Sequence, residues 1–395
     1  MKDTYNMAAE AVSEGHPDKL ADQISDAVLD EYLKVDPNAR VACECLISGN
    51  TVVVAGEITA QSDPHLSIPE IATKVFQDTG YDNESLGFDL SELEIMERLQ
   101  RQSEEIANGV NRDNGSLGAG DQGIMIGYAC NETPELMPIA VSAAKRLILK
   151  LTECRQGRSI PWLWPDAKCQ VTVKYSSGVP LEFDSVVLST QHSPGISLSE
   201  LRKTITDDII NPVLSEYDLI NRPSLYINPA GFFTKGGPGS DTGLTGRKIA
   251  VDSYGPYCPV GGGAFSGKDA TKVDRSGAYM ARYVAKNIVN AGLADWCEIR
   301  ISCAIGQSNP LTIDVKSNRG WENDAKLAVL IQNSFDLSLR GIIDHLELTK
   351  PVYLDTARVG HFGLGAEDQT WESAEDANRI TDATILSKGS KLQKT

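Results

Sequence analysis

Apolar positions along this chain change their spacing repeatedly, and each change marks a new element. They recur every three to four residues over Lys19–Lys34, Leu136–Leu151, Ser199–Ile210, Val273–Val289 and Ala325–Phe335, which predicts five helices with one buried stripe each. β-Branched residues crowd instead into Thr51–Thr59, Cys169–Tyr175, Ser185–Thr190 and Cys297–Ile305, which read as strands. The two kinds are interleaved without the strict alternation that builds a doubly wound sheet, so the expected fold class is α+β. Two stretches follow neither period. Ser103–Gly123 carries Asn108-Gly109, Asp113-Asn114-Gly115 and Gly118-Ala119-Gly120, more turn residues than a short connection needs; a lid over a site and a plain linker both suit it. The other is glycine-rich, over Gly231–Gly246 and Gly255–Gly267.

Charge gives the glycine-rich stretch a meaning. From Gly231 to Asn290 there are eight Lys or Arg against four Asp or Glu, a local charge of +4 in a chain whose total is −17. Glycines let amide N–H groups approach an anion, and Lys235, Arg247, Lys248, Lys268 and Lys272 can neutralise several oxygens at once. A cationic island on an acidic protein points to a small anionic ligand. The net charge argues against nucleic acid and against an anionic membrane surface, both of which draw affinity from a basic face. No apolar run reaches membrane-spanning length and the start has no signal-peptide core, so a cytoplasmic protein is expected. The cysteines at 43, 45, 130, 154, 169, 258, 297 and 303 form no CxxC pair, and reduced, buried thiols are expected.

Gly262 to Lys268 satisfies the first part of a Walker A pattern, which then demands Ser or Thr; here Asp269 follows, and the preceding Tyr254–Pro259 is a turn sequence rather than a buried strand. A P-loop NTPase is therefore not expected. Phosphate binding survives the objection, because it depends on amides and lysines. A second constellation, Ser13-Glu14-Gly15-His16-Pro17-Asp18-Lys19, opens the first helix, whose stripe runs Leu20, Ile24, Ala27, Val28 and Tyr32. Pro17 and Asp18 suit a first turn, so the segment reads as a capped helix. It reads equally as a phosphate site with His16 as donor and Asp18 as a magnesium ligand. Asp274 has the same two readings, as cap of the helix that follows or as a second metal carboxylate.

Ser13–Lys19, Gly118–Gly123, Pro165–Lys168, Gly243–Lys248 and Gly261–Asp269 together resemble the S-adenosylmethionine synthetase (methionine adenosyltransferase) family, in family order from about Met7 to about Phe362. The resemblance implies three similar α+β domains around a pseudo-threefold axis. Along the chain these are an N-terminal domain over 1–102, a mobile active-site loop over 103–117, a central domain over 118–235, and a C-terminal domain over 236–395 with the phosphate loop. It also implies dimers with sites at the interface, commonly a homotetramer. The implied reaction is attack of the L-methionine sulfur on C5′ of ATP, departure of the intact triphosphate, and its cleavage to pyrophosphate and phosphate. A thioether has no proton to lose, so cations and metal ions rather than a general base are needed.

Position by position, the resemblance makes His16, Lys168, Arg247, Lys248, Lys268 and Lys272 triphosphate and leaving-group contacts. Asp166, Ala167 and Ala264 join the ATP site, and Phe233 stacks on adenine. Asp18 and Asp274 become carboxylates for Mg²⁺, two ions per site, and Glu44 the acid of a K⁺ site. Glu57 and Gln102 become methionine contacts, with Lys272 beside them. Asp121 and Asp241 match acids that touch ribose hydroxyls or the methionine ammonium group. Gln102 borders the loop, which favours the lid. The chain departs from the pattern at Phe232 and Trp164, each in place of Arg, at Val260 in place of His, at Pro256 and Ala270, and in Met7–Ala11, which lacks the usual serines. Two other classes remain open: a different ATP-cleaving enzyme such as a kinase, and a non-catalytic paralogue, for which the changes at 232, 164 and 260 are the only support. His65, His192, His345 and His361 lack metal-ligand spacing and read as surface or core.

Overall fold

The protein is seen here in a computed structural model that describes residues 4–81, 86, 88–101 and 117–381. Among the described residues there are three separate sheets, each backed by a long helix. The first runs β1-β6-β7-β8, from Thr4–Val12 (β1), Leu163–Ser176 (β6), Val179–His192 (β7) and Ile220–Ile227 (β8), and carries helix Ile139–Gln156 (α3). The second runs β11-β10-β5, from Gly123–Cys130 (β5), Trp296–Cys303 (β10) and Thr312–Ser317 (β11), under helix Val273–Asn290 (α7). The third runs β4-β3-β2-β9, from Arg40–Ser48 (β2), Thr51–Thr59 (β3), Glu94–Gln100 (β4) and the two-residue Gly243–Leu244 (β9). Helix Pro17–Val35 (α1) covers it.

The sheets trade strands. β1, at the start of the chain, pairs antiparallel with β6 from the middle; β5 pairs with β10; β9 pairs with β2. The three sheets are thus knitted together by strands from distant parts of the chain. Such non-local pairing gives one continuous buried core.

α1 holds the centre. Pro17 occupies its first turn, the His16 ring accepts from the Asp18 amide, and Lys34 lies in the last turn, favourable signals at both ends. Its apolar stripe Leu20, Ile24 and Val28 is fully buried. So are Asp18, Asp22 and Asp26 on the other side, which is the unusual feature of this helix.

β3 spans the expected Thr51–Thr59, α7 starts at the expected Val273, and β6 and β7 extend the strands expected at Cys169–Tyr175 and Ser185–Thr190. α3 begins at Ile139, three residues after the expected Leu136, because Leu136 takes φ 61° and Pro138 stands at the N-cap. The helix from Leu198 turns π-helical over Ile205–Ile210, and Trp321–Ser334 (α8) starts four residues before the expected Ala325. β1, β2 and β5 have no counterpart among the expected elements. All eight cysteines are free and only Cys303 is less than buried; burial pushes the Cys43 thiol up to about 12.

Candidate active site

The site is organised by the open edge of β2. Its far end pairs with β9, Leu46 facing Leu244 and Ile47 facing Gly243. Its near end takes the segment around Lys268 as a further short rung: Ala42 bridges Lys268, the Cys43 amide donates to the Gly267 carbonyl (2.9 Å) and the Asp269 amide to the Val41 carbonyl (3.0 Å). One strand edge therefore sets both cationic segments side by side. They also touch directly. Gly246 has φ +79°, and a Cβ there would lie 2.4 Å from the Cβ of Ala264, so only glycine lets the two loops close up.

The first cation group gathers on Asp18. This buried carboxylate accepts from the Leu244 amide at 3.0 Å, pairs with Lys248, and has Arg247 Nε 3.5 Å away. His16 sits above it. Because its Nδ1 accepts from the Asp18 amide at 3.1 Å, the proton of the neutral ring is on Nε2. Burial, and then the Lys248 ammonium, bring this histidine down to about 4, so it is a neutral donor near pH 7. Asp241 and Lys168 lie within electrostatic reach of the same ring.

The second group gathers on Asp274. Lys268 Nζ lies 2.6 Å from its Oδ2, and both side chains are about one-fifth exposed. Gly263 lies against Asp274, and a small cavity lined by Ile124, Gly261, Gly263 and Asp274 opens there. Lys272, at the N-cap of α7, is turned to Asp269, 2.5 Å away, and not to Asp274. Burial pushes the Asp269 carboxyl up, yet Lys272 and Thr271 hold it below its ordinary value.

The remaining candidates are spread around these groups. Asp166 accepts from the Gly237 amide at 2.8 Å; burial, then Asp241, push it up to about 6. The Ala167 amide donates to Ser13 Oγ at 2.8 Å, which ties β6 to the loop before His16. Lys168 is half exposed and pairs with Glu10 at 2.9 Å. Phe233 is held by exchanged hydrogen bonds with the buried His192, whose Nε2 accepts from its amide. Glu57 faces Ala42 across β2, two strands from Lys268 and so roughly 10 Å away by backbone. Glu44 lies two residues further along, on the exposed side of β2. Asp121 and Asp241 are exposed and accept from the amides of Gln122 and Thr242. Gln102 and the loop residues 103–116 lie outside the described residues.

Sequence reasoning missed a second row of charge behind the first. Asp22 accepts from the Gly246 amide (2.9 Å) and from Lys19 (3.1 Å), and Lys19 reaches Asp252 at 2.5 Å. Asp26 accepts from the Gly267 amide at 2.7 Å and takes both ends of the buried Arg275 guanidinium at 2.7 Å each. The signal was present as an aspartate at every fourth residue, 18, 22, 26 and 30, of a helix read only by its first turn and its apolar stripe.

Among the described residues no three His, Cys, Asp or Glu side chains gather around a point that suits a metal ion. Asp18 and Asp274 are single carboxylates, each with an oxygen held by a lysine ammonium group. That donor set fits magnesium bound through one carboxylate and completed by phosphate oxygens and water, and does not fit an all-protein cage.

Three interleaved helix-backed sheets, with two glycine-framed lysine–carboxylate pairs side by side on one strand edge, define an α+β protein. Comparison with known proteins supplies the particular family. The N-terminal, central and C-terminal domains of S-adenosylmethionine synthetase match residues 4–104, 116–233 and 235–373. The chain is 46% identical, over 382 residues covering 96% of it and 98% of the relative, to the S-adenosylmethionine synthase of Sulfurovum sp. (strain NBC37-1). The chain belongs to the S-adenosylmethionine synthetase family, the methionine adenosyltransferases.

Proposed function

We propose that adenosyl transfer from ATP to the sulfur of L-methionine takes place over the edge of β2, with the triphosphate across the Arg247–Lys248 turn and the Lys268 loop. The observation that carries this reading is the pairing of Lys248 with Asp18 and of Lys268 with Asp274 on adjacent segments of one strand edge. Each ammonium is neutralised by a carboxylate where a polyphosphate would compete for it. As the triphosphate leaves C5′ it gains negative charge, and cations fixed beforehand stabilise it without reorganising. His16 Nε2 adds a neutral donor, Lys168 and Lys272 add cations at the margins, and Asp166, Ala167, Ala264 and Phe233 bound the nucleoside side. No base is needed, because the thioether sulfur attacks through a lone pair.

Mg²⁺, two ions per site, would be held by Asp18 and Asp274 together with phosphate oxygens, and supplies further charge neutralisation to the leaving group. Glu44 would hold K⁺; it lies two residues from Ala42, which bridges Lys268, so a cation there would stiffen that loop. Glu57, Gln102, Asp121 and Asp241 are assigned to methionine and the ribose, and the loop 103–117 to the lid. The domain limits 1–102, 118–235 and 236–395 belong to the same reading.

A second copy of the chain completes the proposal. Leu46, Val53 and Met96 form an apolar row across β2, β3 and β4 on the face away from α1, and Leu46 and Met96 are 39% and 44% exposed. Glu57 and Glu44 share that face, so a dimer closing over it would enclose the methionine end; a homotetramer would be a pair of such dimers. Among the described residues no helix is long and apolar enough to cross a membrane, in keeping with work in the cytoplasm. The metal assignment is tested by titrating Mg²⁺ against turnover in wild type, Asp18→Asn and Asp274→Asn. Higher half-saturating Mg²⁺ in both variants supports it, and unchanged midpoints would refute it.

A further inference from the structure

Along one side of α1, Asp18, Asp22, Asp26 and Asp30 succeed one another at every fourth residue, and each accepts a backbone amide from a distant segment: Leu244, Gly246, Gly267, and Tyr353 with Leu354. Two rungs of this ladder lie behind the proposed cation array and touch no cation in it. Asp22 holds the amide that immediately precedes Arg247 and Lys248. Through Lys19 it is also joined to Asp252, the last residue of the short helix Ile249–Asp252 (α6) that follows them, so the segment is gripped before and after its two cations. Asp26 holds the amide preceding Lys268, and Arg275, its bidentate partner, donates to the Lys268 carbonyl at 3.1 Å. That loop is gripped on both sides as well.

We propose that Asp22 and Asp26 are positioning residues of the reaction: their carboxylates fix Gly246 and Gly267, and through them the places of Arg247, Lys248 and Lys268. The physical reason lies in the residues being held. Both cationic segments are rich in glycine, whose backbone has the most freedom to lose, and a preorganised electrostatic site needs its charges fixed before the substrate arrives. A buried carboxylate accepting an amide is a charge-assisted hydrogen bond, stronger than a neutral one. One rigid helix supplies both anchors, so the spacing between the two cation groups becomes a property of α1. The inference rests on the triphosphate reading above.

Asp22 is the rung to test, since loss of Asp26 would leave a buried arginine without its carboxylate and strongly destabilise the protein, whereas the buried Lys19 beside Asp22 keeps Asp252. Asp22→Ala removes the acceptor for Gly246; Asp22→Asn keeps an oxygen there. Inorganic tripolyphosphate binding by calorimetry, kcat, the KM for methionine and the melting temperature are measured on wild type and both variants. Asp22→Ala is expected to bind tripolyphosphate at least tenfold more weakly and to lose roughly a hundredfold in kcat, with the KM for methionine within twofold. Asp22→Asn is expected to recover most of both. A folded Asp22→Ala with wild-type tripolyphosphate affinity and kcat would overturn the inference, as would Asp22→Asn being equally impaired. If Asp22→Ala does not melt cooperatively, Asp22→Ser, which ends short of the Gly246 amide, takes its place with the same readings. Failure of wild type itself to bind tripolyphosphate would refute the triphosphate reading and not the ladder alone.

Discussion

Lys268 Nζ stands 2.6 Å from Asp274 Oδ2, in a pair formed six residues apart across the start of α7. The lysine is carried by the β2 edge and the aspartate by the first turn of a buried helix, so two rigid elements fix their separation. Replacing Lys268 by Ala removes one cation from the proposed triphosphate site while leaving its backbone bridge to Ala42 in place. Turnover is expected to fall by about two to three orders of magnitude, with the melting temperature little changed. Steady-state kinetics beside a thermal melt decide this, and near-normal turnover would remove Lys268 from the triphosphate site.

Gly263 tests the same geometry from the other side. A Cβ at this position would lie 2.3 Å from Cγ of Asp274, too close for any real side chain. Gly263→Ala is therefore expected to displace the Asp274 carboxylate and raise the Mg²⁺ needed for half-maximal turnover, in a protein that still folds because the loop is at the surface. An unchanged Mg²⁺ midpoint would mean that Asp274 does not serve the metal.

Asp30 gives a pH signature separate from catalysis. It accepts from the amides of Tyr353 and Leu354, and burial pushes it up to about 7, with Asp26 adding to the rise and Arg275 opposing it. A folded-state value above the ordinary one, about 3.9, means the folded protein binds this proton more tightly. Its contribution to stability is complete below about pH 4 and is lost as pH rises through about 7, at up to about 1.4 kcal/mol per pH unit in between. Asp30→Asn lacks that proton. The variant should therefore gain on wild type in melting temperature as pH goes from 5 to 8, and a constant difference would contradict the assignment.

How much of this was legible beforehand depended on where the information lay. α1, β3 and α7 were readable because strong local patterning agreed with the tertiary structure, and α1 also carries good terminal residues. β1, Thr-Tyr-Asn-Met-Ala-Ala-Glu-Ala-Val, was not, because its alanines carry no strand preference and pairing with β6, more than 150 residues away, imposes the extended form. The candidate site residues stood out as charged groups among glycines. Their supports did not, because Asp22 and Asp26 look like polar positions of an ordinary amphipathic helix until the partners at Gly246 and Gly267 come to lie beside them.

Phe232 tests a departure from the family pattern. Its ring is 66% exposed and lies 5.9 Å from that of His192, so an arginine there has room to reach solvent or an anion. Phe232→Arg is expected to leave the melting temperature within a degree or two and to lower the KM for ATP by about tenfold or more, since a charge-assisted contact is worth about 1.5–3 kcal/mol. An unchanged KM would make the position structural.

The apolar row on the outer face of the third sheet makes association a further measurable consequence. Leu46→Glu puts a charge in the middle of the face shared with Val53 and Met96, and sedimentation should show a shift toward monomer together with lost turnover. Unaltered sedimentation would place the contact elsewhere.

The most direct test of the central claim follows S-adenosylmethionine, tripolyphosphate, pyrophosphate and phosphate together while the purified protein turns over ATP with Mg²⁺, K⁺ and L-methionine. A site that grips the whole triphosphate on the β2 edge predicts methionine-dependent S-adenosylmethionine, pyrophosphate and phosphate in equal amounts. ADP with a phosphorylated acceptor, or ATP bound without any turnover, would contradict it.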